Sequence, residues 1–435
     1  MNLRWVWRGG ITLVVGGLLV AGVRTTLPST ATPSPSHLGR HSVVDEAGYS
    51  SNGVLEAPDA ADLAQVRGAL ATQAKAVRTG DRAAFLREID SDRSAFATAQ
   101  RIVWSNTQKL PFTAFDYTYD GVVEPDTPLR TASFLVHVTT TYQLRGFDAS
   151  PVQLDDGFTF VKQAGTWKLA SVSDADGRFG SDDLPAPWEG PAIDTFGDAD
   201  YLAIVDRGQE ELAHHLVTLC HEASRTSARL LGVANQTPTV VLATTHDLGF
   251  KKFTGPDAAA VTYPVLTGDG LTAGWRLVLN PGYVLGVVSD PVVLSHELTH
   301  LATEQYLRYL PKWLSEGSAE YVGWHAVGGL REAAIRRGFQ ARPLPPRLPI
   351  SADYYLDHVS LNYLQGQALV SHLVARYGSA KVLELLRAYG TAGAAQPSFA
   401  PDVATPRILR SVLGISTTEL ARASYAELDA AAGAN

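Results

Sequence analysis

Residues 291–321 read PVVLSHELTHLATEQYLRYLPKWLSEGSAEY, and this stretch determines how the C-terminal half of the chain must fold. It contains the pattern H-E-x-x-H, from His296 to His300, on a segment whose leucines recur at helical spacing. Pro291 is typical of the first position of a helix. Residues four apart project from one face of a helix, so the two imidazoles can bind one tetrahedral cation. Glu297 points about 100° away from His296, where it can take a proton from water at that cation.

A third ligand is predicted on a second helix. Leu310 and Pro311 end the connecting loop, and the helix that follows carries Glu316 and Glu320 one turn apart. Glu316 completes a site of two histidines and one glutamate, which is typical of catalytic zinc. Glu304 is a poorer ligand because it lies about 6 Å further along the first helix.

Other metal sites agree less well with the sequence. A metzincin would have glycine and histidine where this chain has Thr303 and Tyr306. Cys220 is the single cysteine, which excludes an intramolecular disulfide and a cysteine-rich zinc module. A second group of metal-binding residue types is close in sequence: His214, His215, Cys220 and His221. Their spacing puts His214 and Cys220 on different helix faces, so structural roles are predicted for them.

Three motifs resemble the gluzincin (peptidase MA-like) zinc metallopeptidases, in the family's order. They are HELTH at 296–300, WLSEGSAEY at 313–321, and YLQG at 363–366, which is predicted to open a helix ending at Tyr377. The resemblance extends from near Pro191 to the C-terminus. It implies a mostly helical, zincin-type metallopeptidase domain with a small edge-stranded sheet.

The resemblance also implies roles for individual residues. It implies that Zn²⁺ is bound by His296, His300 and Glu316. Glu297 would be the general base, and Glu320 would orient a ligand histidine. Tyr363 would donate its hydroxyl to the transition-state oxyanion, although a core tyrosine is the alternative interpretation. Tyr321 and His325 are weaker candidates for the same role.

Two departures from the family's pattern affect the prediction. Only 15 residues separate His300 from Glu316, fewer than in the best-known gluzincins, so the connection between the helices must be tight. No G-x-M-E-N motif precedes them, and the missing amine-anchoring glutamate favours an endopeptidase. Residues 275–279 are predicted to form the edge strand along the cleft, where an extended peptide could pair; an ordinary core strand is the alternative.

The N-terminus has the features of an export segment. In residues 1–24, Arg4 and Arg8 precede an apolar stretch, which predicts a cleavable signal peptide or an uncleaved signal anchor. Either one places the rest of the chain outside the cytoplasm, secreted or anchored to the cell membrane. Residues 25–58 are rich in Ser, Thr and Pro, which predicts a linker.

Residues 59–180 are predicted to form a separate α+β domain. Apolar residues at helical spacing predict a first helix, with Leu63, Val66, Leu70 and Ala74 on its buried face. A second helical segment covers 82–103, and strand patterns follow, the last two forming a hairpin around 164–165. Helices followed by long antiparallel strands resemble the NTF2-like cone-shaped α+β fold. His137 is interpreted as a packed histidine and Asp155–Asp156 as a solvated turn, so no active site is predicted here.

A Pro-, Gly- and Asp-rich stretch at 181–191 predicts a domain boundary, and residues 190–435 then form the metallopeptidase-like domain. Its predicted elements are a helix at 209–231, strands at 238–243 and 275–279 with a loop-rich stretch between them, and mostly helices after 291. The predicted fold class of the whole chain is α+β.

The charge of the chain argues against one class of function, nucleic-acid binding. The net charge of −8, from 36 Lys+Arg and 44 Asp+Glu, implies no basic surface, so no nucleic-acid partner is expected.

The leading hypothesis is an extracytoplasmic zinc peptidase acting on a peptide or protein, with membrane contact only through an uncleaved N-terminal segment. A non-catalytic cell-surface binding or scaffold protein with a retained zinc site is the alternative. A zinc hydrolase acting on a non-peptide amide is a third hypothesis. Neither the substrate nor the oligomeric state follows from the sequence.

Overall fold

The computed structural model describes residues 58–123, 133–172, 186–245, 258–280, 291–326, 347–356, 359–396 and 398–433. The fold is mixed α+β, as the sequence predicts. The predicted signal segment and the linker up to residue 57 lie outside the described residues. No helix within the described ranges is both long enough and apolar enough to cross a membrane.

The first structural unit packs helices on an antiparallel sheet. Its elements are α1 (Ala60–Thr79), α2 (Arg82–Arg87), α3 (Ser94–Thr107), β1 (Phe112–Val123), β2 (Ser133–Leu144), β3 (Val152–Gln163) and β4 (Thr166–Ser171). The strands are antiparallel in the order β1-β2-β3-β4. The predicted apolar face of α1 is buried against this sheet. The predicted hairpin is confirmed, with Ala164 and Gly165 both at positive φ, the geometry of a two-residue hairpin turn.

Two predictions for this unit are wrong. The helical segment at 82–103 is split, because Leu169 of β4 exchanges backbone hydrogen bonds with Glu88 and Asp90, and these bonds replace those of a helix. Asp155 and Asp156 lie inside β3, paired with β2, and not in a turn. Two consecutive aspartates in a long strand that is not fully buried have the same composition as a turn, which explains the error.

The second sheet forms the centre of the molecule. Its strands and flanking helices are β5 (Ile193–Gly197), β6 (Tyr201–Asp206), α4 (Glu210–Leu231), β7 (Thr239–Ala243), β8 (Ala260–Leu266), β9 (Thr272–Leu279) and α5 (Pro291–Ala302). The order is β5-β6-β7-β9-β8, with β6, β7 and β9 parallel and the two outer strands antiparallel to their neighbours. Helices α4 and α5 cover one face and the first unit covers the other. Burial on both faces explains the unbroken apolar runs of β6 and β7.

The edge strand differs from the one predicted. Strand β9, which contains residues 275–279, lies between β7 and β8, and β8 is the edge. The stretch that holds β8 was predicted to be loop-rich, and it contains Pro264. Proline is compatible with an edge strand because its missing N–H can face away from the partner. Strands β5 and β6 were not predicted either, although the apolar run of β6 directly before a helix is typical of a buried strand.

The first unit is joined to the central sheet by a shared apolar core and a buried ion pair. The guanidinium of Arg276, on β9, lies 2.8 and 3.0 Å from the two carboxylate oxygens of Asp148, in the β2–β3 connection. Nearby, the N–H of Ala149 donates to the carbonyl of Ala273 at 2.7 Å. The β8–β9 hairpin is therefore held by the first unit, because breaking a buried ion pair costs about 3–5 kcal/mol.

The remaining helices follow α5 in the chain. They are α6 (Glu304–Leu307), α7 (Lys312–His325), α8 (Val359–Tyr377), α9 (Ser379–Ala394), α10 (Pro401–Leu413) and α11 (Thr417–Gly433). The predicted helix start after Pro311 is confirmed. Helix α8 begins at Val359, so the YLQG motif lies inside it and does not open it.

Glycines allow α7 to approach both of its neighbours closely. A Cβ atom on Gly323 would lie 2.8 Å from the carbonyl oxygen of Val292 on α5. A Cβ atom on Gly317 would collide with the carbonyl group of Gly366 on α8. Helix α7 therefore packs with backbone contact on two sides, which leaves no room for even a methyl group.

We expect Gly317→Ala to lower the free energy of unfolding by about 1–3 kcal/mol, because the added methyl group forces α7 and α8 apart. Gly68→Ala is the matched control: Gly68 lies in α1 with no atom near its Cβ position, and alanine should raise stability by up to about 1 kcal/mol there. Urea unfolding of the two variants measures the difference. Equal stability of the two would show that the close helix contact is not needed.

Candidate metal centre

The two histidines of H-E-x-x-H lie on one face of α5, as helical spacing requires. The Nε2 atoms of His296 and His300 are 3.1 Å apart. The Oε2 atom of Glu316, on α7, lies 3.4 Å from the first and 3.5 Å from the second. Four ligands at about 2.0–2.1 Å from a tetrahedral zinc ion are separated by about 3.3–3.4 Å. The three atoms therefore form a triangle of the size that one such ion requires.

The chemistry of these donors also fits a cation. All three side chains are at most 1 % exposed, and Oε2 of Glu316 has no donor among the described residues other than these two imidazoles. The carboxylates of Glu297, Glu316 and Glu320 surround two imidazoles, so negative charge is in excess in a buried space. Burying unpaired charge is costly, and a divalent ion offsets it.

The pKa values reflect this excess. Burial alone would lower the pKa of His296, but its hydrogen bonds with Glu316 and Glu320 raise it to about 10. Burial opposes ionisation of Glu316, yet the charge of His300 and the hydrogen bonds from both histidines hold its pKa well below the ordinary value. The surroundings of His296 favour a positive charge, which a metal ion supplies.

Glu320 contacts His296 on the side away from the triangle. Its Oε1 lies 3.0 Å from Nδ1 of His296, and its Oε2 accepts a hydrogen bond from the indole N–H of Trp324 at 2.6 Å. A carboxylate on the outer nitrogen holds the ring so that Nε2 faces the metal position. For His300, no hydrogen-bond partner of Nδ1 is found in the part of the chain that the structure describes.

Glu297 lies beside the triangle and does not belong to it. Its Oε2 accepts a hydrogen bond of 2.8 Å from the hydroxyl of Thr262, on edge strand β8. Burial raises the pKa of Glu297, and the positive charge of His296 and His300 opposes that rise. A carboxyl group with a raised pKa is suited both to take and to return a proton near neutral pH.

Two tyrosines line the site. Tyr363, on α8, is buried, with its ring centroid 6.2 Å from that of His296. Sequence reasoning missed Tyr355, whose hydroxyl donates to Oε1 of Glu316 at 2.6 Å. Tyr355 also makes a hydrogen bond with Tyr363. Burial and the charge of Glu316 hold the pKa of both phenols well above the ordinary value, so both remain donors.

The other candidates lie away from this centre. Glu304 accepts a hydrogen bond from Trp275, and His325 bonds the backbone carbonyl of Tyr321. His137 is not merely packed, since its Nε2 lies 3.0 Å from the carboxylate of Asp155.

The histidines near Cys220 on α4 do not come together with it to form a metal site. Cys220 is buried and His214 stacks on Phe196. His221 instead lies near Asp198 and Asp200, a second group with metal-binding geometry. These three side chains are all partly or largely exposed, and Nε2 of His221 is hydrogen-bonded to Asp198 at 2.7 Å, so these two side chains already satisfy each other.

Comparisons with known proteins add no relative. No protein-family model matches the sequence, and no match is found among curated proteins. The residues and their geometry are therefore the grounds on which a function can be proposed.

We expect the chain to bind one zinc ion, and His300→Ala and Glu316→Ala to weaken binding by more than about 100-fold, since loss of a ligand costs more than loss of an outer contact. His221→Ala is the control and should bind as the unaltered chain does. Competition with a chromogenic chelator measures the affinities. Loss of the ion in His221→Ala together with retention in His300→Ala would place the metal in the exposed group.

Proposed function

We propose that this chain is an extracytoplasmic, zinc-dependent endopeptidase of the gluzincin type. The observation that supports it most is the buried triangle formed by His296, His300 and Glu316 next to Glu297. Metal binding needs the triangle but not the neighbouring carboxylate. A base in that place is needed for hydrolysis, which argues against a protein that only retains a zinc site as scaffold.

The architecture is compatible with this proposal. The five-stranded sheet with an antiparallel edge strand beside helix α5, and the glutamate supplied by α7, agree with a zincin-type domain. Helices followed by the antiparallel sheet β1–β4 agree with an NTF2-like first domain. Among the described residues β8 pairs on one side only, and the part of it that holds Tyr263 and Pro264 is partly exposed, where an extended peptide can add main-chain hydrogen bonds.

The residues of the site divide the work of hydrolysis. His296, His300 and Glu316 would hold a zinc ion, which would supply the Lewis acid for the water and for the scissile carbonyl group. Glu297 takes the proton of the attacking water and passes it to the leaving amine. Glu320 holds His296 in orientation, and Tyr363, which stays protonated, can donate to the oxyanion.

The proposed location rests on residues 1–24, which lie outside the described part of the chain. Their basic start and apolar stretch support export, with the catalytic unit outside the cytoplasm. The substrate would then be an extracytoplasmic peptide or protein.

We expect Glu297→Gln to keep its zinc and to lose hydrolysis of an unstructured protein such as casein by about 10²–10⁴-fold, because the amide cannot accept the proton. Glu304→Gln, a partly buried carboxylate near the same helix, is the control and should retain activity. Zinc content and fluorescence release from labelled casein are measured on both. Undiminished hydrolysis in Glu297→Gln would refute its role, and bound zinc without any cleavage by the unaltered chain would favour the scaffold.

A further inference from the structure

The carboxylates of Glu297 and Glu316 each have one oxygen held by a hydroxyl group from a distant part of the chain. Thr262 holds Oε2 of Glu297 and Tyr355 holds Oε1 of Glu316. Neither hydroxyl belongs to α5 or α7, the helices that carry the carboxylates.

The direction of the Thr262 side chain follows from the alternation of side chains along β8. Val261 and Val265 of β8 pack in the core shared with the first unit, whereas Thr262 points to the other face of the sheet, where α5 lies. Thr262 is 2 % exposed and Glu297 is 1 % exposed. A hydrogen bond between a hydroxyl and a carboxylate is strong in such a place, because water does not compete for either group. The bond occupies Oε2 and leaves Oε1 for another partner.

Tyr355 holds the carboxylate of Glu316 by a similar hydrogen bond. It bonds Oε1 of Glu316, while Oε2 is the oxygen that lies 3.4 and 3.5 Å from the two imidazoles. A donor fixed on one oxygen restrains rotation of the carboxylate about its Cγ–Cδ bond. The plane of the group is then held with the other oxygen in the triangle.

We propose that Thr262 and Tyr355 are positioning residues that fix the orientation of each carboxylate. Tyr355 directs Oε2 of Glu316 to the metal, and Thr262 directs Oε1 of Glu297 to the reacting water. The part played by Tyr355 needs only that a metal binds, whereas the part played by Thr262 rests on the proposed peptidase function.

The two roles predict changes in different quantities: the zinc affinity for Tyr355 and the turnover rate for Thr262. Tyr355→Phe should raise the Kd for zinc by about 10–100-fold, the usual effect of losing an outer contact to a ligand. Thr262→Val keeps the shape of the side chain, so it should leave the Kd for zinc within about threefold and lower kcat on casein by about 10–100-fold, with little change in KM.

Two controls separate positioning from folding. Tyr354→Phe removes the hydroxyl of the neighbouring, more deeply buried tyrosine, which donates to the backbone carbonyl of Asn362 at 2.8 Å, and should leave the Kd for zinc unchanged. Thr262→Ser restores a hydroxyl on β8 and should recover most of kcat. Thermal unfolding of all four variants records any loss of stability.

The experiment uses the full chain, with zinc affinity from chelator competition and turnover of labelled casein. Calorimetric binding of acetohydroxamate to the zinc-loaded chain reports on Glu297 without turnover, and Thr262→Val should weaken it about tenfold. An unchanged Kd for zinc in Tyr355→Phe overturns the role of Tyr355. Unaltered kcat and hydroxamate affinity in Thr262→Val overturn the role of Thr262.

A chain that binds zinc and cleaves nothing defeats the peptidase proposal alone, because zinc and hydroxamate affinities still decide the two positioning roles. A chain that binds no zinc defeats both.

Discussion

The arrangement of the site depends on the backbone contact of α7 with α5 and α8. Gly323 lets α7 approach α5, and Gly317 lets it meet Gly366 of α8. Glu316 and Glu320 extend from α7, one turn apart, toward the histidines of α5. Close packing therefore brings one carboxylate into the triangle and the other onto the outer nitrogen of His296. The same contact places α8, with Tyr363, against the site.

Burial gives this arrangement its chemical character. Carboxylates and imidazoles that are almost completely removed from water interact strongly, and the pKa values of His296 and Glu316 move in opposite directions as a result. A group of residues so short of positive charge gains stability from a divalent ion. Glu297 has a different environment, bonded to a threonine and not to a histidine, which suits a proton carrier better than a ligand.

Much of the site was predictable because its ligands follow local rules. Helical spacing places His296 beside His300, and a helix that begins after Pro311 carries Glu316. Thr262 and Tyr355 were missed because each contact joins segments more than 30 residues apart, and no local pattern records such a contact. Strand β8 was missed for a related reason: an edge strand has less apolar sequence than a central one, and Pro264 suggests a loop. The apolar content of β9 could not show which side of it was paired, since strand order depends on packing between distant residues.

The most direct measurement is X-ray diffraction from zinc-loaded crystals, recorded on both sides of the zinc absorption edge. The account requires an anomalous peak at about 2.0–2.2 Å from Nε2 of His296, Nε2 of His300 and Oε2 of Glu316. A peak confined to the exposed group at Asp198, Asp200 and His221, or a Glu316 side chain that faces solvent while the ion is bound elsewhere, would contradict it.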